Sequence, residues 1–389
     1  MTIASGSRVQ LAIVEEVSFG TLPAVAMLPV RYKSSKLDYK LEGFTSEEVR
    51  ADRQIRDFRL GMKGVDGSID CEMAVGAHDP LYEGALAGVW TAGTSVSGCT
   101  TTSGNKIHRA SGSFITDGYL IGDVLVVSGF GTSAHNGLAR VAVVEAADLT
   151  MASSGTFGKT FVAGDSAGVV NLQGKRLKCG TTMKWYSIEQ YFSDLVQYRL
   201  FKGCAVNEMS MKIQPKAIAE VSFTFLGQDT AAFQGSQFAS SYSASPTGSP
   251  LDGFSGGLWE GGVASALVTG LDIKLANGRS VEGVLGSRVT PAIFEGRANI
   301  TGTATVFFQD ATAYNKFVNE TESSIDILMV APNGTDFLRV VVPACKFSSG
   351  NVEPKAEGPI PISMDFQSIL ATSGTAPANT TLYMQRSNT

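Results

Sequence analysis

The sequence contains the stretch Leu37-Asp38-Tyr39-Lys40-Leu41 and, in its second half, a near copy of it, Leu271-Asp272-Ile273-Lys274-Leu275. A glycine that opens an alternating segment follows each copy at a similar distance, Gly67 in the first case and Gly302 in the second. Self-similarity at matched spacing is the signature of a repeated structural unit. This pair therefore predicts that the chain contains the same β unit twice.

Three more features follow both copies in the same order. Each copy is followed by a short helical segment that begins with aspartate and carries a tyrosine, Tyr82 or Tyr314. Further on, Tyr198-Arg199-Leu200 matches Leu338-Arg339-Val340, and the alternating segment Phe223-Thr224-Phe225 matches Met364-Asp365-Phe366. Because order and spacing agree at four places, we interpret the chain as a tandem duplication.

Polar and apolar residues alternate through most of the chain, as in Ser68–Met73, which is typical of half-buried antiparallel strands. Helical signals are few. Asp79-Pro80 opens one short helix, with aspartate as the predicted N-cap and proline in the first turn, and Asp310–Val318 is the other candidate. The fold class is therefore predicted to be mainly β, as two β-sandwich or barrel units, each with a short flanking helix.

Unit A is interrupted where unit B is continuous. The first unit is predicted to comprise residues 31–90 and 176–230, and residues 91–175 form an inserted small β-domain in which Asn136-Gly137 turns a hairpin. Residues 231–263 are rich in Ser, Gly and Ala, so we expect a linker that is flexible by composition. Unit B with a C-terminal tail occupies residues 264–389.

Composition excludes several classes of protein. Hydrophobic residues make up 43% of the 389 residues, enough for a real core, while only 17% are charged against a usual level of roughly 25%. No apolar stretch approaches the roughly 20 residues of a membrane-spanning helix, and the five cysteines contain no Cys-x-x-Cys pair. The net charge of −5 argues against wrapping of nucleic acid, which requires many Lys and Arg residues.

A search for catalytic chemistry finds no constellation of residues. The three histidines, His78, His108 and His135, have no metal-ligand spacing to one another or to cysteine, and we expect each to be a surface or turn residue. A glycosidase carboxylate pair is not nominated by any pattern. The sequence therefore predicts no enzyme, no metal and no cofactor.

Residues 42–63 differ from the rest of the chain in their charge. Ten of these 22 residues are charged, and Arg50, Arg53, Arg56 and Arg59 recur at every third position. One interpretation is a solvated face of a hairpin or a short helix. The other is an arm that reaches a neighbouring subunit, where arginine pairs with carboxylates such as Glu47 and Glu48.

Taken together, these features resemble the major tail tube protein of long-tailed, non-contractile (siphovirus-type) bacteriophages. The resemblance is carried by the opening run from Glu15 to Ala24, with Phe19, Gly20, Leu22 and Pro23, and by Gly64–Ile69 leading to Asp79-Pro80-Leu81-Tyr82. It covers units A and B. The inserted segment resembles the small β-domain that some of these proteins carry on the outside of the tube.

The resemblance implies a structural subunit of the virion tail that self-assembles into stacked rings and forms the conduit for genome ejection. It also implies that an N-terminal arm, here residues 1–30, and a long loop, here residues 42–63, join neighbouring subunits and rings. The predicted contact residues are Arg50, Arg53, Arg56, Arg59, Glu47, Glu48, Phe19 and Leu22. If a ring holds six β units, a duplicated chain forms a trimer with pseudo-sixfold symmetry; without the duplication, a true hexamer is expected.

The resemblance also implies the partners of the chain. They are further copies of itself, the tape measure, tail terminator and distal tail proteins, and viral DNA that passes through a net negative lumen without specific binding. No membrane is expected, and assembly is expected in the host cytoplasm. Two rival interpretations stay open, a baseplate or receptor-binding β protein that binds glycans and a polysaccharide hydrolase.

Overall fold

The molecule is built almost entirely of antiparallel strands. A computed structural model describes residues 4–265, 267–352, 357–371 and 379–388. Strands make up 49% and helices 5%, which confirms the expected mainly β class. Among the described residues, twenty strands join into one hydrogen-bonded sheet, six close into a separate barrel, and two form a small hairpin.

The strands before the barrel are β1 (Val9–Glu15), β2 (Leu28–Val30), β3 (Ser34–Ser35), β4 (Asp38–Thr45), β5 (Phe58–Glu72) and β6 (Thr91–Ala92). The barrel strands are β7 (Ser95–Thr102), β8 (Lys106–His108), β9 (Val124–Ser128), β10 (Gly137–Val144), β11 (Asp148–Met151) and β12 (Gly168–Leu172). After the barrel come β13 (Lys175–Lys178), β14 (Tyr186–Phe192), β15 (Gln197–Ile213), β16 (Glu220–Gly227) and β17 (Asp229–Gln234).

The remaining strands are β18 (Gly256–Glu260), β19 (Val263–Ala264), β20 (Val268–Ala276), β21 (Ser280–Val281), β22 (Ile293–Phe294), β23 (Asn299–Phe307), β24 (Ser323–Val330), β25 (Phe337–Phe347), β26 (Asn351–Val352), β27 (Pro361–Ser368) and β28 (Tyr383–Arg386). The α-helices are α1 (Asp79–Leu86) and α2 (Thr312–Val318). Short 3-10 turns lie at Gly6–Arg8 and Ser133–His135.

The same pattern of strand pairing occurs twice along the chain. In the first set, β4 pairs with β5, β5 with β16, β16 with β15 and β15 with β14. In the second set, β20 pairs with β23, β23 with β27, β27 with β25 and β25 with β24. The flanking strands correspond as well, because β1, β2 and β17 join the first set as β18, β19 and β28 join the second.

Irregularities of the ladders fall at the same places in both sets. Between β14 and β15 the register shifts by one residue just before Cys204, and between β24 and β25 it shifts just before Cys345. A second one-residue shift follows Val206 on β15 and Phe347 at the end of β25. Bulges are specific features of a fold, so their coincidence strengthens the correspondence between the sets.

Strand pairing corrects two details of the sequence alignment. Gly302 lies opposite Ile273, whereas β4 is in register to place Gly67 opposite Leu37, so Leu37 corresponds to Ile273 and not to Leu271. The shift of two residues keeps the same face of the strand. Counted from Cys204 and Cys345, however, Arg199 and Arg339 are one residue out of step, and they point to opposite faces.

One hydrophobic core runs through both sets. Ile69, Phe223 and Phe225 alternate inward on β5 and β16, and Ile273 and Met364 do the same on β20 and β27. The two sets join edge to edge, because β15 pairs with β20 in addition to β16. The sheet therefore continues from one set into the other without an internal border.

The two helices pack differently. In α1, His78 is the N-cap in place of the predicted Asp79, Pro80 lies in the first turn, and Tyr82 is buried with its ring edge against Phe223. In α2, which begins at Thr312 and not at Asp310, Tyr314 is 41% exposed. The second helix thus leaves uncovered an aromatic side chain whose counterpart is part of the core.

The inserted segment folds as a closed six-stranded barrel with a core of its own. The expected hairpin is confirmed as the antiparallel pair β9–β10, although its loop is longer than a two-residue turn and is held by the Asn136 side chain on the backbone of Phe130. The chain enters and leaves the barrel through β6 and β13, which pair with each other.

Two segments expected to stand apart are tied into the sheet. In the described part of the expected N-terminal arm, residues 4–30, β1 pairs with β14 along its whole length and buries Leu11 and Ile13. The expected flexible linker is held by Glu189, whose carboxylate accepts hydrogen bonds from the backbone of Phe238 and Ala239, and by Leu251, which is fully buried.

Candidate subunit-contact surfaces

The outward face of the continuous sheet is polar along its length. Residues that alternate with the core positions on β4, β5, β16, β15, β20, β23 and β27 are Ser, Thr, Asp, Glu, Lys and a few others, and none of the charged ones is buried. They include eight carboxylates and three lysines, namely Asp38, Asp66, Asp70, Glu72, Glu208, Glu220, Asp272, Asp365, Lys40, Lys212 and Lys274. We call this surface the polar face; it is acidic.

Hydrogen bonds hold one carboxylate of the polar face, that of Asp70, in its charged form. Asp70 accepts from the hydroxyls of Ser34, at 2.6 Å, and Ser222, at 2.5 Å. Burial opposes ionisation of Asp70, but these hydrogen bonds and nearby lysines outweigh it and lower its pKa. Asp70 therefore contributes a negative charge to the polar face at neutral pH.

β4 and β26 each have one edge with no partner strand among the described residues. β4 pairs only with β5, and β26 pairs only with β27. By the pairing correspondence, β4 is the counterpart of β20, and β26 is the counterpart of the part of β15 that pairs with β20. Inside the chain, β15 and β20 join the two sets. Their counterparts β26 and β4 lie at the two ends of the continuous sheet and, in the described part of the chain, are unpaired on the corresponding edges. Exposed edges of this kind are templates for pairing with another chain.

All six predicted contact residues of the 42–63 segment lie at the exposed tip of the β4–β5 hairpin. The arginines pair locally: Arg50 with Asp52 at 2.9 Å, Arg56 with Glu48 at 3.1 Å, and Arg59 with Asp57 at 3.0 Å. The guanidinium of Arg50 holds the pKa of Asp52 below its usual range. Arg53 and Glu47 have no ion pair within the described residues, and Arg53 adopts a left-handed backbone with φ 60°.

The same hairpin exposes apolar side chains. Val49 is 98% exposed and Ile55 71%, and Phe44 and Phe58 are each more than half exposed. Surface patches of this kind mark contact sites in soluble proteins. The hairpin therefore combines apolar and arginine-rich surface, a composition that interfaces share.

The two remaining predicted contact residues pack within the chain. Phe19 lies 5.7 Å from Trp185 between ring centroids, and Leu22 packs on the cluster around Ala12, Met27 and Leu200. Both side chains are half-buried, so only their exposed outer edges are available for contact with a neighbouring subunit.

A buried ionic cluster attaches the barrel to the second set. Arg339, which is 1% exposed, donates to both carboxylate oxygens of Asp326 at 2.9 and 2.8 Å and to Asp123 of the barrel at 3.0 Å. The hydroxyl of Tyr383 donates to Asp123 at 3.1 Å. Burial opposes the charge of Arg339, but the two carboxylates outweigh it and raise its pKa.

Further contacts surround this cluster. Arg140 of the barrel donates to Asp326 at 3.0 Å and stacks on Trp259 with its guanidinium carbon 3.5 Å from the ring centroid. The Gln385 side chain on β28 both donates to and accepts from the backbone of Val124. Buried polar contacts therefore dock the barrel on the second set, although Nε of Arg140 has no hydrogen-bond partner among the described residues.

Sequence reasoning missed this cluster. Arg339 stood out only as part of a repeat. Its partner Asp123 lies 216 residues away, and no pattern points to Asp326, 13 residues away. It also missed Asn277 and Arg279, which follow β20 and donate to the carbonyls of Ala85 and Gly84 at the end of α1. No local pattern marks either contact, because both join segments that only the fold brings together.

The histidines have structural roles. Each is expected to be a surface or turn residue. His78 is the N-cap of α1 and His135 lies in a 3-10 turn, but both are buried, and only His108 is partly exposed. His135 donates from Nδ1 to Asp165 at 2.8 Å and accepts the Val162 amide at Nε2. Within the described part of the chain there is no group of three residues able to hold a metal ion, and no helix is long and apolar enough to cross a membrane.

Open strand edges, an acidic sheet face and a docked barrel are features of a structural building block. A family model described as phage tail tube protein matches residues 6–368. The chain belongs to this family, which confirms the resemblance found in its sequence. It is thus a non-enzymatic structural protein of the virion tail. A search of curated proteins found no match.

Proposed function

We propose that three copies of this chain form a ring of six β units, and that the rings stack into the conduit for genome ejection. The observation that carries the proposal is the repeated strand pairing, with the two sets already joined through β15 and β20. We assign β1–β6, α1 and β13–β17 to unit A, β18–β28 and α2 to unit B, and the barrel to an insertion in unit A. Contacts between different patches on each copy close a ring when the rotation between them closes.

The joint inside the chain predicts the register of the joint between chains. Met211 of β15 lies opposite Ile273 of β20, and Ser210 lies opposite Lys274. The counterparts of these residues are Val352, Leu37, Asn351 and Asp38. We therefore place Val352 of one subunit opposite Leu37 of the next, and Asn351 opposite Asp38, so that both open edges are paired.

Pairing of β26 with β4 of the next subunit also brings apolar surfaces together. Inside the chain, the residues that follow β20 cover the end of α1. Between chains, the hairpin that follows β4 reaches the corresponding place on α2, where Tyr314 and Val318 are exposed. Leu41 and Phe44 of the hairpin are exposed as well, and burial of both surfaces gains roughly 25 cal/mol per Å².

The polar face then lines the lumen. Its excess of carboxylates repels the phosphate backbone, so DNA passes without binding. The tape measure, tail terminator and distal tail proteins are the partners that a tube of this kind requires at its interior and its two ends, in addition to further copies of the chain.

Electron microscopy of the purified protein tests the proposal. Rings or tubes are expected, with three chains and three barrels around each ring and a pseudo-sixfold inner wall. A reconstruction with six chains per ring would contradict the duplication. A chain that stays monomeric at high concentration would contradict the tube.

Replacing Arg50, Arg53, Arg56 and Arg59 together with serine is expected to weaken ring stacking and to leave folding almost unchanged. All four side chains are exposed, and the ion pairs that Arg50, Arg56 and Arg59 make in solvent contribute little to stability. The measurements are tube length by microscopy and the melting temperature of the monomer. A lower melting temperature with normal tubes would show that these residues serve the fold and not the contact.

A further inference from the structure

Unit A carries a large groove beside β1. The cavity has a volume of about 780 Å³ and is lined by residues of β1, β5, β14, β15 and the segments 29–33 and 242–245, among them Gln10, Tyr32, Tyr191, Tyr198 and Tyr242. Tyr191 and Tyr198 stack with ring centroids 4.2 Å apart. Aromatic side chains in such a position are enriched at interfaces between proteins.

Unit B has the corresponding place, and there the cavity is narrower. Gln10 lies opposite Tyr191, and its counterpart Gly257 lies opposite Leu328. The cavity at Gly257 measures about 300 Å³, and a neighbouring one beside Leu258 and Leu267 measures about 250 Å³. The extra walls at Gly257 are the end of β15 with the turn that follows it, residues 213–215, and residues 252–255, where a side chain at Gly253 would collide with the carbonyl of Gln214.

The turn that narrows the cavity of unit B comes from unit A. Its counterpart in unit B is the turn between β26 and β27, of which residues 357–360 are described and Glu357 is exposed. Inside the chain this second turn has no further unit to contact. We propose that it enters the groove of unit A on a second copy of this chain, which makes the groove a binding surface for the neighbouring subunit. The inference rests on the proposed ring and names one of its contacts.

Cross-linking tests this contact. Gln10→Cys and Glu357→Cys in one chain, treated with a flexible bismaleimide under assembly conditions, are expected to give covalent dimers and trimers on a denaturing gel. An equimolar mixture of the two single variants is expected to give covalent dimers only. Each chain then carries one introduced cysteine and can be linked to only one neighbour. The natural cysteines are buried except Cys179, which is partly exposed, so the untreated sequence with the same reagent sets the background.

Glu357→Cys combined with Thr132→Cys, which lies on an exposed loop of the barrel, is the matched control and is expected to give no product above background. Ser245→Trp, which fills the groove from its rim, is expected to raise the concentration needed for assembly at least tenfold with an unchanged melting temperature. Ser240→Trp, at an exposed position of the same segment outside the groove, is expected to assemble normally.

The outcomes separate the groove from the ring. Rings in the microscope without cross-linking above the Thr132 control, or normal assembly of Ser245→Trp, would overturn the groove contact and leave the proposed ring intact. Absence of rings and of cross-links together would overturn both.

Discussion

Replacing Arg339 with methionine is expected to lower the free energy of unfolding by about 3–5 kcal/mol, the usual cost of removing one partner of a buried ion pair. The substitution leaves Asp123, which is fully buried, and Asp326 without the guanidinium that both contact. Methionine fills a similar volume, so loss of charge compensation and not a cavity is the cause. Urea unfolding at pH 7 measures the change.

At lower pH, the loss of unfolding free energy caused by Arg339→Met is expected to be smaller. Burial raises the pKa of Asp123 even in the intact protein, and without Arg339 it rises further. A carboxyl whose pKa is higher in the folded than in the unfolded state stabilises the fold at low pH and loses that contribution as pH rises through the folded value. The variant should therefore approach the parent as pH falls toward 4–5, about the range of unperturbed carboxyls.

Arg59→Met is the matched control, because Arg59 is also paired with an aspartate but lies in solvent at the hairpin tip. Its effect should stay within about 0.5 kcal/mol. An Arg339 variant as stable as the Arg59 variant would show that the barrel is not held by the buried cluster.

Tyr39→Pro is expected to weaken ring formation strongly while the monomer stays folded. The Lys36 amide donates to Ser68 on β5, and hydrogen-bonding residues alternate along an antiparallel strand. Lys36, Asp38 and Lys40 therefore face β5, and the N–H of Tyr39 points to the open edge of β4, where within the subunit it donates to Oδ1 of Asp38 at 2.8 Å. Proline removes this donor and places its ring where the next subunit would pair.

Each contact between subunits that loses this strand pairing is expected to lose about 1–3 kcal/mol of binding free energy. Each 1.4 kcal/mol is about a factor of ten in affinity. The concentration for half-assembly, measured by sedimentation, should therefore rise at least tenfold. Tyr39→Ala is the control, since it removes the same side chain and keeps the N–H. Equal assembly of the two variants would exclude pairing through β4.

The strands and the inserted domain could be predicted from the sequence because period-2 alternation is a local property. Ser68–Met73 alternates since one face of β5 packs on the core and the other does not. The short helix at Pro80 was likewise marked by local chemistry. The family could be recognised for the same reason, because its pattern of strands and turns consists of local sequence features.

Register could not be predicted in the same way. Leu37-Asp38-Tyr39-Lys40-Leu41 matches its copy in letters, yet strand pairing shifts the match by two residues, since contacts with β5 and not the pentapeptide decide which residues face each other. Arg199 and Arg339 match in the sequence comparison. In the strand register they differ by one residue, which places them on opposite faces. Residues 231–263 have a flexible composition but are held by Glu189 and by the burial of Leu251.

By itself, the sequence determined that this protein is mainly β and predicted a repeated unit and an insertion, because alternation, turns and repeats depend on neighbours in the chain. Only the tertiary structure decided which edges stay open, that Arg339 joins the barrel to the second set of strands, and that the groove beside Gln10 is wider than the cavity at Gly257. These depend on contacts between segments far apart in sequence, whose free energies no local pattern records.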